Sequence, residues 1–328
     1  MTKYQITIEE LFAGAEQIAV TGHTHPDGDC VGSCLALAAY LKKAADRQNR
    51  KVHVDVYLEM VPAEFMDLAG AADVHTEKDE KAHYDLLFVL DCGDAARPGL
   101  HAGLETQADR VVCIDHHYSN QGFGDAGYID GDASSTCEVL FEMMAEELID
   151  VDIARCLYTG IIHDTGVFHH NSTHRRTMEI AGILMEKGFD FGKVIDESFY
   201  QKTLCQNRLM GEALIRCFLV SGGKGILSLL PYAAFEAVGA TSADTSGIID
   251  QMRLTAGVKA AALLYEYPEK NLKLSLRATD PAVDVSQIAI ALGGGGHRMA
   301  AGASLSGDPE EVLQTLTEKL ECILESSM

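Results

Sequence analysis

The chain has 328 residues, enough for two domains at a prior of ~150 residues each. Hydrophobic residues make up 47% and charged residues 23%, which excludes a disordered or fibrous chain and fits a globular one. Acids number 49 against 26 Lys plus Arg, a formal charge of −23, which argues against a surface that grips long nucleic acid but not against a short anionic ligand in a pocket, where bound cations invert the local sign.

In chain order, residues 18–22 read as a strand, and 29–47 as a helix with Val31, Leu35, Ala38, Ala39 and Leu41 near helical spacing. Residues 52–58 alternate as a second strand. The continuous apolar runs 86–90 and 111–114 predict strands buried on both faces. Strands separated by helices imply parallel pairing and an α/β sheet. Helical patterns follow over 135–148, 152–162, 173–187 and 189–219, with Asp152 as an expected N-cap and Gly188 as an expected C-cap residue. The run Ser221-Gly222-Gly223-Lys224-Gly225 is the strongest boundary signal. Beyond it, strands are expected over 226–230, 258–265 and 272–277, and a helix over 309–324. The expected organisation is a catalytic domain over 1–190, a helical connector over 191–221 and a second, smaller α/β domain over 222–328.

Nine cysteines without a CxxC pair speak against a zinc ribbon and for free thiols in a reducing cytoplasm. The N-terminal MTKYQITIEE lacks a signal peptide's apolar core, and no apolar run approaches the ~20 residues that span a bilayer.

Chemistry-bearing residues gather at the ends of these elements. His23-Thr24-His25-Pro26-Asp27-Gly28-Asp29 lies between the first strand and first helix, where open α/β sheets collect ligands. The plain alternative is a helix N-terminus decorated with acids. Asp91 ends the third apolar run and needs solvent, a partner or a metal, because burying it unpaired is costly; Asp91 or Asp94 could instead cap a helix. Asp115-His116-His117 follows the fourth strand. Adjacent imidazoles diverge, so one could bind a metal while the other faces substrate. His163 and Asp164 follow an apolar helix between Gly160 and Gly166. A mixed carboxylate and imidazole set suits Mn²⁺, Mg²⁺, Co²⁺ or Fe²⁺, and two such ions clamp the attacking and leaving oxygens of a phosphoryl displacement. In the second domain, Gly293-Gly294-Gly295-Gly296-His297-Arg298 would let backbone N–H groups approach a phosphate, with Arg277 available for a bidentate contact. The loop matches neither a Walker nor a GxGxxG fingerprint.

Together these motifs resemble the DHH/DHHA1 phosphoesterases, over essentially the whole chain, and within them the short two-domain nanoRNase/pAp-phosphatase branch. The resemblance implies a parallel-sheet DHH domain joined by a helical connector to a DHHA1 domain, and two divalent cations per chain, Mn²⁺ first. It implies His23 and Asp27 on one ion, Asp29, His116 and Asp164 on the other, and Asp91 bridging. His117 would face the substrate phosphate, with Asp115 orienting the His pair. Gly294, Gly295, Gly296 and His297 match the substrate loop, and Arg277 matches a phosphate-gripping Arg. Thr173 and Arg176 lie at the family's Thr/Arg-bearing helix start. His25 stands where many relatives carry Asn, as an outer donor or third ligand, and Ala278 replaces a frequent Ser. The implied substrates are oligoribonucleotides of two to five residues and 3′-phosphoadenosine 5′-phosphate (pAp), with AMP as product. The alternatives are linear dinucleotides from cyclic messengers, inorganic pyrophosphate, and a silent nucleotide-binding module. No long nucleic acid and no membrane partner is expected, and a homodimer is compatible with the pattern.

Overall fold

The computed structural model describes residue 4 and residues 6–93, 103–267 and 271–326; Asp94 lies outside the described residues. Two compact units divide the chain, Met1–Gln201 and Lys202–Met328.

The first unit is built on five parallel strands: β1 (Gln17–Thr21), β2 (His53–Tyr57), β3 (Leu86–Leu90), β4 (Val111–Asp115) and β5 (Ala126–Ile129), in the order β2-β1-β3-β4-β5. Period-two alternation sends Leu86, Phe88 and Leu90 to one core and Leu87 and Val89 to another, which is why the run is apolar throughout. The larger core is covered by α1 (Ile8–Leu11), α2 (Gly28–Arg47), α3 (Thr136–Met143), α4 (Val151–Asp164), α5 (Arg175–Met185) and α6 (Phe191–Ile195). The smaller one packs Ala19, Tyr57, Tyr84 and Leu104 on the opposite face. In this strand order the chain reverses direction of growth between β1 and β3, and ligands bind outside the carboxyl ends of the strands at such a point.

The second unit carries a mixed sheet ordered β10-β11-β9-β8-β7-β6. Its strands are β6 (Phe218–Val220), β7 (Gly225–Leu230), β8 (Ala260–Tyr267), β9 (Asn271–Ala278), β10 (Gly295–His297) and β11 (Ala300–Ser306). On one face Ala260, Ala262, Leu264 and Leu274 pack under α10 (Ser286–Ala291) and α11 (Pro309–Ser326). On the other, Ile226, Leu230 and Leu263 pack under α7 (Leu204–Arg216), α8 (Tyr232–Val238) and α9 (Ile248–Arg253).

Several expected elements differ in detail. The 189–219 stretch is not one helix: α6 runs into a π-helical turn at Asp196–Tyr200, and Thr203 starts α7 afresh with a capping box to Gln206. Residues 218–220 then pair with β7 as a strand, while α7 buries Leu209 and Ala213 in the second unit's core. The N-cap of α4 is Asp150, not Asp152, because Asp150 Oδ1 accepts the Ile153 N–H at 3.1 Å. His163 and Asp164 belong to the last turn of α4 rather than following it. The C-cap of α5 is Glu186, and Gly188 turns the chain two residues later at φ +94°.

Candidate metal centre

The site forms at the carboxyl ends of β1, β3 and β4. After β1, Gly22 is required: a Cβ there would stand 2.2 Å from Cys30 Sγ. His23 donates Nδ1–H to the Thr24 carbonyl at 2.7 Å, which turns Nε2 toward Asp27 Oδ1 (3.6 Å) and Asp91 Oδ2 (3.4 Å). Asp27 caps α2, its Oδ1 accepting from the N–H groups of Asp29 and Cys30 at 3.0 and 3.1 Å. Asp29, in the first turn of α2, is fully buried. Its oxygens accept the N–H groups of Thr136 (2.6 Å) and Cys137 (3.0 Å) at the start of α3. A helix N-terminus from a distant part of the chain thus holds the carboxylate in place.

Asp91 leaves β3 at φ +54°, a left-handed conformation that Asp tolerates better than most residues. Its Oδ1 accepts from Thr136 Oγ1 at 3.2 Å and lies 3.5 Å from His116 Nε2. His116 Nε2 also lies 2.9 Å from Asp164 Oδ2 and 3.9 Å from Asp29 Oδ2. His117 stands beside it, the two rings 4.8 Å apart, with its Nδ1 on Asp115 Oδ1 at 2.7 Å and 3.6 Å from Asp91 Oδ1. Asp115 is buried, and its second oxygen accepts Asn120 Nδ2–H at 2.7 Å. Asn120 also donates to the Cys92 carbonyl at 2.9 Å and accepts the Gly122 N–H at 2.8 Å. Asn120 was not among the sequence candidates; its place three residues past His117 was the available signal.

Five carboxylates, Asp27, Asp29, Asp91, Asp115 and Asp164, share this space. Burial pushes the Asp29 carboxyl well above its usual range, and the Asp91 and Asp164 charges push it further. Asp91 runs the opposite way: burial would raise it, but hydrogen bonds from His116 and His23 hold it well below the usual range. Burial alone would lower His23, yet its bonds to Asp27 and Asp91 raise it to about 12. His116 also reaches about 12, against its burial, through Asp164 and Asp91. Such surplus negative charge, with imidazole nitrogens 2.9–3.6 Å from carboxylate oxygens, is the donor chemistry of a divalent cation site, where the ion takes the place of those protons. Three groups of ligand atoms close enough to share an ion occur among the described residues: Asp29, His116 and Asp164; His23, Cys30 and Asp91; and Asp91, Asp115, His116 and His117. Cys30 is an addition to the sequence reading. Burial pushes its thiol well up, so it stands beside the cluster protonated.

The structure does not bring His25 to the cluster. That residue is left-handed at φ +54°, its N–H donates to Glu59 Oε2 at 2.8 Å, and its side chain is 90% exposed. His163 is packed away instead, between the rings of Phe65 (4.9 Å) and Phe199 (5.3 Å), with burial lowering it to about 4. Arg176 pairs with Glu142 and lies over the Phe141 ring rather than meeting the cluster.

Residues 17–161 match the N-terminal domain of the DHH family, and residues 230–326 match the DHHA1 domain. The chain pairs a DHH domain with a DHHA1 domain. It is 28% identical to the bifunctional oligoribonuclease and PAP phosphatase NrnA of Thermus thermophilus, over 97% of this chain and 94% of that protein. It is 23% identical to the Bacillus subtilis protein of the same description, over 88% and 90%. Among solved structures, an exopolyphosphatase-related protein from Bacteroides fragilis superposes with a TM-score of 0.82 at 25% identity, covering 96% of this chain and 95% of that one.

In the DHHA1 domain the glycine-rich segment is a hairpin rather than a free loop. Gly295, Gly296 and His297 form β10 and pair with Gly302, Ala301 and Ala300 of β11. A Cβ at Gly294 would stand 2.2 Å from the Gly302 carbonyl oxygen, and Gly296 has φ +137°, so both glycines are needed by the hairpin itself. Gly295 has open space around its Cα, and the hairpin gives no steric reason for it. Ala300 pairs with His297 on one side and Arg277 on the other, so one row across three strands sets His297 and Arg277 on the same face. Arg277 Nε lies 3.9 Å from Asp250 Oδ1, and its Nη1 donates to the Leu276 carbonyl at 3.1 Å.

Proposed function

We propose that this chain is a two-metal phosphoesterase that hydrolyses very short oligoribonucleotides and pAp to mononucleotides. The observation that carries the reading is the division of Asp91: Oδ2 lies 3.4 Å from His23 and Oδ1 lies 3.5 Å from His116. A carboxylate so divided suits a bridge, with His23 and Asp27 completing one ion's ligands and Asp29, His116 and Asp164 the other's. The donors are oxygen and imidazole, and Mn²⁺ is the ion proposed. Cations held there would supply the Lewis acidity that activates water and offsets charge on the phosphoryl oxygens.

The chain's own residues do the rest. The α3 N-terminus and Thr136 hold Asp29 and Asp91 against rotation, so little reorganisation accompanies binding. Asn120 fixes Asp115, and Asp115 accepts His117 Nδ1–H and so orients the ring; with a second proton on Nε2, stabilised by the Asp115 charge, His117 would serve as phosphate ligand or proton donor. On the DHHA1 domain, Arg277 and His297 offer donors to a nucleotide phosphate, with Gly295 leaving room for close approach.

Short substrates fit a net charge of −23, which gives a long polyanion no general attraction. The near-complete coverage of the Thermus relative in both directions supports the same substrate class. No described helix is long and apolar enough to cross a membrane. A cytoplasmic setting is proposed because all nine cysteines are free thiols, six of them buried.

The test is Mn²⁺-dependent hydrolysis of a dinucleotide and of pAp, with a linear dinucleotide from a cyclic messenger, pyrophosphate and a long single strand alongside. Release of mononucleotide that stops on chelation is the expected result. Cleavage of pyrophosphate alone would overturn the substrate reading, and no turnover on any of them would overturn the enzymatic one.

A further inference from the structure

Asp164, a proposed ligand of the second ion, stands on the last turn of α4, and helix ends are where fraying begins. Here that end is closed throughout. The last four carbonyls of a helix have no partner within it, yet all four are taken up. Ile161 O accepts the Thr165 N–H (3.1 Å) and the Thr165 hydroxyl (2.6 Å), and Ile162 O accepts the Val167 N–H (2.7 Å). His163 O accepts the Gly166 N–H (3.2 Å), and Asp164 O accepts His170 Nδ1–H at 3.1 Å. Thr165 also receives the chain that follows. Its Oγ1 accepts the Phe168 N–H at 3.0 Å, and its carbonyl accepts the N–H groups of His169 and His170, both at 2.8 Å. The residue is fully buried, so its hydroxyl both donates and accepts away from water.

The turn that Thr165 ties down is left-handed at three successive residues: Gly166 (φ +56°), Val167 (φ +54°) and Phe168 (φ +64°). One such residue, usually Gly, is enough to stop a helix, and a β-branched residue in that conformation is an outlier. Gly166 is required, because a Cβ there would stand 2.6 Å from His170 Nε2. Val167 and Phe168 lack glycine's freedom and are held by packing. Both lie against the larger core, with Phe168 edge-on to Tyr158 at 6.3 Å. Unfavourable backbone of this kind persists only where its surroundings over-determine it, and it gathers at ligand sites. What this turn fixes is Asp164, whose Oδ2 lies 2.9 Å from His116 Nε2. We propose, on the two-metal reading of the site, that Thr165 is a positioning residue for the second ion: its hydroxyl pins the left-handed turn to the end of α4 and so keeps the Asp164 carboxylate in place before an ion binds. Ligands must be held to about 0.5 Å for a site to bind well, and a carboxylate on a fraying turn is not.

The experiment titrates Mn²⁺ into the chelator-stripped wild type, Thr165→Val and Thr165→Ser. It reads bound ions per chain, the electron paramagnetic resonance signal of a coupled Mn²⁺ pair, and Tm without metal. Thr165→Val keeps the shape and loses the hydroxyl, whereas Thr165→Ser keeps the hydroxyl. The wild type is expected to hold two ions and show the coupled signal. In Thr165→Val one of the two ions should bind about 10-fold or more less tightly, the usual effect of losing an outer partner, and the coupled signal should fade with it. Thr165→Ser should restore both. A lowered Tm in Thr165→Val with both ions bound as in wild type would overturn the proposal, because the hydroxyl would then serve the fold alone. Equal losses in Thr165→Val and Thr165→Ser would also overturn it. If Thr165→Val fails to fold, Thr165→Ala replaces it and is read in the same way, since the smaller side chain leaves room for water on the Phe168 N–H. A wild type that does not hold two ions would remove the two-metal reading and this role with it, whereas variants that match a two-ion wild type remove only the role of Thr165.

Discussion

Gly160 of α4 passes so close to Asp29 of α2 that a Cβ at residue 160 would stand 2.6 Å from Asp29 Oδ1 and 2.3 Å from Cys137 Sγ. The backbone of α4 thereby forms the wall behind a buried carboxylate that two N–H groups of α3 already hold. Gly160→Ala should cost about 1–3 kcal/mol of stability, the usual range for overpacking, and should weaken metal binding because Asp29 must move. Thermal unfolding and a Mn²⁺ titration check both.

Asp91→Ala should leave the fold intact and abolish turnover. Oxygens face His23 and His116 at once, and no other described residue faces both. Circular dichroism paired with the hydrolysis assay decides the point; retained activity in a folded variant would remove the bridge assignment.

Asn120→Ala removes the donor that holds Asp115 Oδ2 and the Cys92 carbonyl. Loss of such an outer partner typically costs 10–100-fold in activity or metal affinity, and a fall on the order of 10-fold or more in kcat is expected here. Substrate affinity should change less, since Asn120 itself lies behind Asp115 and His117. Separate kcat and KM values test this.

Chelation should lower Tm as well as stop hydrolysis. A ligand bound only by the folded state stabilises it by mass action, by about 2.7 kcal/mol at a hundredfold excess over Kd. Differential scanning calorimetry with and without Mn²⁺ reads the shift, and an unchanged Tm would argue against a tightly held ion.

Asp150 provides an acid-stability test. Its partial burial would raise its pKa, but Lys43 Nζ at 2.7 Å and the Ile153 N–H hold it below the ordinary carboxylate value. A depressed folded pKa contributes stability above the unfolded value of about 3.9, and loses it as pH falls through the lower folded value. Asp150→Asn keeps the helix cap but not the ion pair, so it should cost up to about 1 kcal/mol near pH 7. The difference from wild type should shrink as pH falls below the unfolded value and vanish once pH lies below the folded one, read in urea titrations.

The sequence by itself marked the carboxyl ends of the first, third and fourth strands, although several helix ends fell elsewhere. An apolar run followed directly by His, Asp or Asp-His-His marks the carboxyl end of a buried strand, and that local signal pointed to His23, Asp91, Asp115, His116 and His117. It also marked the α/β character of the first half and the glycine-rich segment of the second. Tertiary structure alone decided which lone pairs meet. The order β2-β1-β3-β4-β5 sets the ends of β1, β3 and β4 side by side, so residues far apart in the chain share one space. Long-range packing also sent His25 to Glu59, buried His163 between two rings, and drew the start of α3 onto Asp29, because these contacts depend on elements 30 to 110 residues away along the chain. The short strands β5, β6 and β10 escaped the sequence reading for a related reason. Each has only three or four residues, too few to carry a period of two, and each is recognised only by the neighbour it pairs with.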